Sequence, residues 1–216
     1  MGQPLGAPAE PPHASGLRNY LDALAAGAPA PGGGSAAALT GAMSAALVAM
    51  VANFTVGRPK YAGVEAPVQA ALASAERSRA ELVRLMMEDE RAYEAVAAAR
   101  RLHRPDERRR RAIQDATRAA VGPPLRMAAI SRGLLDQARV AAAHGNPNLA
   151  SDAGVAALLA EAALRASAIN VRVNLAALRD DAFVAPTEAQ LDDLLRGTPA
   201  LTEEVLALAG RRMVGG

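Results

Sequence analysis

The run Pro31-Gly32-Gly33-Gly34-Ser35 continues into AAALTGAMSAALVAMVANFTV and closes at Gly57. No charged side chain lies between Asp22 and Arg58, and small residues recur at every fourth position: Gly33, Ala37, Gly41, Ala45 and Ala49. On a helix that spacing leaves one face almost bare, so a second helix can approach its backbone closely. Three glycines after a proline suit a tight turn. The free N–H groups of the helix that follows, with its dipole behind them, form an anion-accepting end. The stretch predicts the central helix of an all-α protein, with a polar ligand held near its start at Gly32, Gly33, Gly34 and Ser35.

An uncharged run of this length must also be tested as a membrane span. It is built from Ala, Gly, Ser and Thr with few Leu and no Ile, and aromatics make up only 2% of the chain. Spans carry more Leu, Ile and Phe, with Trp or Tyr at their borders, so a buried helix of a soluble protein is the expectation. The 216 residues fit one domain with a substantial core, and 51% hydrophobic against 21% charged residues describes a globular chain. Alanine supplies half of the apolar content and favours helix. The chain has no cysteine, and its three histidines are scattered, which argues against disulfides, thiolate catalysis and a metal site. The net charge of +2 is too small to argue for nucleic acid. The N-terminus has no basic and apolar leader pattern, so a cytoplasmic protein is expected.

Read in order, residues 1–14 form a flexible Pro-rich tail and 15–212 a single-domain helical bundle with long helices. Ser15 caps a short helix to about Ala26. The central helix stops near Gly57-Arg58-Pro59, and a long helix runs from about Pro67 to Leu102. Arg104-Pro105-Asp106 breaks the chain, and Pro123-Pro124 interrupts the next helix before it reaches His144, with Gly145 in the position that ends it. Ser151-Asp152 opens another helix, and Thr187 with Gln190 makes a capping box for the last.

Polarity breaks the pattern at a few positions. The apolar stripe of the long helix reads Leu82, Leu85/Met86, then Asp89, then Tyr93 and Val96. A carboxylate on such a stripe loses hydration and is pushed toward the protonated form, as a general acid or base requires; a structural Asp paired to an arginine is the competing reading. Asp152 caps a helix or serves a ligand. Asn53, Asn170 and Asn174 either bridge helices or offer donors and acceptors to a heterocycle. Arg100, Arg101, Arg104 and Arg108 to Arg111 cluster at one corner, as a solvated face or an attractor for a polyanionic tail.

Together, PGGGSAAALTGAMSAALVAMVANFTVGRPKY, the EDERAY segment and GNPNLASDAGVAALLAEAALRASAINVRVNL resemble the cyclodeaminase/cyclohydrolase family of folate enzymes, from about Leu17 to Val184. The resemblance implies an all-helical homodimer. Its activity would be to convert 5-formimidoyl-tetrahydrofolate to 5,10-methenyl-tetrahydrofolate and ammonia or, as the alternative, to hydrolyse the methenyl compound to 10-formyl-tetrahydrofolate. It implies no cofactor beyond the tetrahydrofolate substrate, which carries a polyglutamate tail suited to the basic corner. The family's acidic segment places its second acid on Asp89 and its first on Met87, a departure that leaves Glu88 as a partial substitute. Lys60, Tyr61, Asn146 and Asp152 match the family's pattern and are assigned, with Gly32 to Ser35, Asn53 and Asn170, to substrate binding. Two rivals are an inactive helical interaction protein of the same fold and a basic nucleic-acid-binding regulator; neither nucleic acid nor membrane is expected as a partner.

Overall fold

The computed structural model describes residues 12–103 and 107–214. All regular structure among them is helical: α1 (Pro12–Ala25), α2 (Gly33–Asn53), α3 (Glu65–Arg101), α4 (Glu107–Ala120), α5 (Gly122–His144), α6 (Ala150–Ala176), α7 (Asp181–Leu195) and α8 (Thr198–Val214). Short 3-10 turns at Pro59–Val64 and Pro147–Leu149 lead into α3 and α6.

The chain divides into two compact units at Gly32–Gly33, inside the span read as one domain. The first contains α1, whose Leu17 and Leu21 are exposed. Residues 1–11 of the expected tail lie outside the described residues, but Pro12 to Ala14 already belong to α1. Ser15 is therefore inside that helix and does not cap it. The expected break at Arg104-Pro105-Asp106 and the last two glycines also lie outside the described residues.

The second unit is organised around α2, as the sequence predicts. Ala37, Ala45 and Ala49 are buried, and Gly41 is squeezed between neighbours. A methyl group at Gly41 would lie 3.0 Å from Leu82 Cδ1, 3.3 Å from Ser131 Oγ and 3.4 Å from Ala163 Cβ. The missing side chain thus lets α3, α5 and α6 close on one point of α2. Contacts of Gly34 with Asp89 and Gly41 with Leu82 run α3 antiparallel to α2. Those of Gly33 with Asn170 and of Ser44 Oγ with the Ala156 carbonyl (2.8 Å) run α6 antiparallel on its other side. Leu82, Leu85, Met127, Leu134 and Leu135 fill the space between α2, α3 and α5. Full burial of each large side chain is worth about 1.5–3 kcal/mol.

α2 and the segment Pro147–Ala176 are long and apolar enough to cross a membrane by length and composition alone, yet 61% and 50% of their apolar windows are buried inside this fold. Such burial is what core helices show.

Local expectations at two helix starts are corrected. α7 begins at Asp181, and Asp180 caps it by accepting from the Phe183 N–H. Thr187 lies mid-helix and donates to the Phe183 carbonyl one turn behind it, the back-bond that a hydroxyl makes inside a helix. α6 begins at Ala150 without a side-chain cap. Asn146 instead caps the preceding 3-10 turn by accepting from the Asn148 N–H. Gly145 does end α5, but with φ −66° it has no left-handed conformation. Glycine is needed there because a Cβ would collide with the Ala141 carbonyl and Val51.

Candidate functional site

Asp89 is brought against the first turn of α2, and that turn admits it only because position 34 lacks a side chain. A Cβ on Gly34 would lie 2.6 Å from Asp89 Cγ and 3.0 Å from Oδ1. Burial raises the Asp89 carboxyl above the usual carboxylate range, and the neighbouring charge of Glu90 adds to the rise. Arg84 pairs with Glu81 and Glu88 on α3, and Arg126 reaches across from α5 to the same two carboxylates. Glu81 is accordingly held below its usual value, chiefly by its hydrogen bond to Arg84. Glu88, engaged by two guanidiniums, is not a free second acid, and Met87 points outward with 46% exposure.

Gly33 faces Asn170, whose amide atoms would lie 3.9 Å from a Cβ there. Asn170 donates its amide to the Ala166 carbonyl (2.9 Å), which holds the side chain on its own helix. Ser35 is buried in the same turn. Gly32 belongs to the first unit, where its nearest neighbour is the Pro29 carbonyl. Asn174, one turn beyond Asn170, is a helix bridge: its amide donates to the Ala120 carbonyl (2.8 Å) and ties α6 to the end of α4.

The remaining candidates gather elsewhere. Lys60, Tyr61 and Asn146 line a pocket of about 240 Å³ with Phe54 and Arg58. The Lys60 ammonium stands 4.9 Å from the centre of the Tyr61 ring. The Tyr61 hydroxyl is buried without a hydrogen-bond partner. Asn53 ends α2 beside this pocket, in a groove shared with Met50, Phe54, Glu76 and Arg79. Asp152 is half-buried in the first turn of α6. At 1.5 Å per helical residue, Gly34 and Asn53 stand about 28 Å apart, and the antiparallel course of α6 likewise separates Asp152 from Asn170. Within one chain the structure therefore forms two clusters at opposite ends of α2, and Asp152 does not orient Asp89.

The basic corner resolves into ties and a groove. Arg109 donates to the Arg100 carbonyl (2.9 Å) and pins α4 to the end of α3. Arg110, Arg111 and Arg179 line an open groove of about 750 Å³ with Gln114. Gln114 grips the chain after α6 at both its carbonyl and amide, accepting from the Arg179 N–H and donating to the Ala177 carbonyl. Arg104 lies outside the described residues. Sequence reading passed over Arg58, Phe54 and Gln114; the tripeptide Arg58-Pro59-Lys60 could have flagged the first.

This geometry sits in a chain whose residues 16–193 match the family model described as formiminotransferase-cyclodeaminase. The chain belongs to that family. Within it, the chain is 42% identical over 193 residues to a methenyltetrahydrofolate cyclohydrolase of Methylorubrum extorquens, covering 88% of this chain and 93% of that protein. It is 34% identical over 196 residues to the formimidoyltransferase-cyclodeaminase of Sus scrofa, covering 89% of this chain but only 36% of that longer protein. A solved structure of formiminotetrahydrofolate cyclodeaminase from Thermotoga maritima superposes with a TM-score of 0.83 at 29% identity, covering 90% of this chain and 96% of that one. The protein is thus an enzyme of the family that acts on tetrahydrofolate derivatives as cyclodeaminase or cyclohydrolase. Among the described residues no group of three or more His, Asp or Glu side chains stands where it could hold a metal ion.

Proposed function

We propose that the protein is a cytoplasmic homodimer that hydrolyses 5,10-methenyl-tetrahydrofolate to 10-formyl-tetrahydrofolate. One observation carries the choice of reaction: the 42% identity to a protein named as the cyclohydrolase extends over nearly the whole of both chains. The sequence alone favoured cyclodeamination, and the relatives shift the balance to hydrolysis.

In this reading Asp89 takes a proton from the water that attacks the methenyl carbon. As the tetrahedral intermediate collapses, the C–N5 bond breaks, N5 is protonated and the formyl group stays on N10. A carboxyl raised by burial exchanges protons with water and nitrogen efficiently near neutrality. First-turn N–H groups of α2 at Gly33 to Ser35 favour the developing oxyanion. Only proton transfer is required, so the reading includes no metal and no redox cofactor. Along α6, Asn170 and Ala177 are separated by about 10 Å, which puts the groove of Arg110, Arg111 and Arg179 within reach of the carboxylates of a polyglutamate tail.

Cyclodeamination of 5-formimidoyl-tetrahydrofolate is the second reading, favoured by the likeness to the Thermotoga maritima structure. There N10 attacks the formimidoyl carbon and Asp89 protonates the departing ammonia. Supplying the purified protein with each substrate separates the two. Loss of methenyl absorbance above the uncatalysed rate supports hydrolysis, and its appearance together with ammonia supports deamination. Turnover of neither would overturn both.

A further inference from the structure

Asn170 and Asn174 stand one turn apart on α6 and do different things. The Asn174 amide donates to the Ala120 carbonyl (2.8 Å) and ties two helices together. The Asn170 amide donates to the Ala166 carbonyl (2.9 Å), four residues back on its own helix. A backbone carbonyl can only accept, so the group facing Ala166 is the NH2, and the amide oxygen Oδ1 is left over. That oxygen has no hydrogen bond among the described residues. Asparagine inside a helix also has a lower propensity than alanine. The half-buried Asn170 amide thus ties α6 to no second element, and the fold alone does not account for it.

Its position does. Gly33 and Gly34 are successive residues of the first turn of α2, with Asn170 against the first and Asp89 against the second. Asp89 arrives from α3 and Asn170 from α6, the two helices that flank α2. Acid and amide oxygen therefore bracket the helix end whose unpaired N–H groups favour a developing oxyanion. An ionised carboxylate and an amide oxygen are both acceptors. A water molecule has two O–H bonds to donate, and two fixed acceptors leave its lone pairs aimed at a third point. The N–H donors of a reduced pterin lie on ring edges away from N5, whereas Asn170 shares its turn with the acid that serves N5.

We propose that Asn170 positions the attacking water: Oδ1 accepts a hydrogen bond from one O–H while Asp89 takes the other proton. The proposal rests on the hydrolytic reading above and adds the group that orients the nucleophile. The water oxygen bonds to the methenyl carbon as the C=N π pair passes to nitrogen. The proton taken by Asp89 is delivered to N5 when the C–N5 bond breaks. The second proton, held toward Asn170 during the attack, leaves to solvent as the formyl carbonyl forms.

The test compares Asn170→Ala and Asn170→Leu with wild type in hydrolysis of 5,10-methenyl-tetrahydrofolate. Alanine removes the whole amide; leucine keeps the branched shape and removes the acceptor. The contact is with water and not with folate, so kcat should fall on the order of 10²-fold in both variants, with KM within about twofold of wild type. The pH midpoint of kcat should stay where wild type has it, because Asp89 keeps its seat on Gly34. The melting temperature of Asn170→Ala should not drop, since no bond between helices is lost. Unchanged kcat, or a raised KM with kcat kept, overturns the proposal. A fall confined to the alanine variant marks a packing role and overturns it too, as does a displaced pH midpoint or a lowered melting temperature in Asn170→Ala. Each of these results, with wild type active, leaves the folate reading standing. A wild type that hydrolyses no methenyl-tetrahydrofolate removes that reading and the proposal with it.

Discussion

The carboxylate of Asp89 rests on the backbone of Gly34, in space that a single methyl group at position 34 would occupy. Acid and glycine come from separate helices and form one unit: the first turn of α2 is shaped to receive a group from α3. Gly34→Ala should therefore push Asp89 off its seat. Overpacking of this kind costs about 1–3 kcal/mol, and turnover should fall far more than binding. Thermal melting with separate determination of kcat and KM checks both halves.

Asp89→Asn removes the proposed proton carrier without changing its size. Loss of a general acid or base costs typically about 10²- to 10⁴-fold in rate, so turnover should drop by that order while the far-ultraviolet circular dichroism stays unchanged. Retained activity would take Asp89 out of the mechanism.

The same substitution should stabilise the fold at neutral pH. The native carboxyl binds its proton more tightly than the unfolded chain does. Stability is therefore lost as pH rises from the ordinary carboxylate value through the raised one. Above that window wild type bears the cost of a buried anion and Asp89→Asn does not. Melting temperatures of the two should converge in acid and separate in favour of the variant above it. In the hydrolytic reading, wild-type turnover should rise with pH across the same raised value.

Arg126 bridges Glu81 and Glu88 from another helix but is about half exposed. Solvent-exposed pairs contribute about 0.2–1 kcal/mol, so Arg126→Ala should cost no more than about that in urea unfolding. Because Glu81 is held low, this stabilisation is present above the usual carboxylate range and is lost as pH falls through its depressed value. Added salt should shrink the difference between variant and wild type.

Gly41→Val tests the close approach on which the core depends. Two branches at a point already 3.0 Å from Leu82 and 3.3 Å from Ser131 must move α3 or α5 outward. A loss at or above the upper end of the 1–3 kcal/mol usual for overpacking is expected. Denaturant midpoints compared with Gly41→Ala, which only presses on these neighbours, separate fit from helix propensity.

The parts of this molecule written in local pattern were legible. The uncharged, small-residue run announces α2 and its role. Asp89 stands out because it interrupts an apolar stripe beside Leu82 and Leu85, and the structure half-buries it there, although Tyr93, one turn further along the expected stripe, is exposed. Elements decided by partners distant in sequence were not legible. Asp152 and Asn170 share one helix, but only the antiparallel packing of α6 on α2 reveals that one is near Asp89 and the other at the far end. Glu88 reads as a spare acid until Arg126 arrives from α5. Asp180 and Thr187 are both good caps by residue type, and the choice between them follows from where the chain leaves α6, held by Gln114. Gly145 does end α5, but the demand for glycine comes from the Ala141 carbonyl and Val51 and not from backbone sign.

α8 reaches back to the opposite corner of the fold: Arg212 donates to the Ala143 and Gly145 carbonyls, at the threshold of the Asn146 turn. That single guanidinium is a strut under one wall of the Lys60–Tyr61 recess, far from Asp89. Trimming the polypeptide upstream of Arg212, or crowding it with a fused peptide, would loosen that recess before it disturbed the seat of Asp89. A preparation altered in this way would imitate a weak enzyme while its acid remained intact.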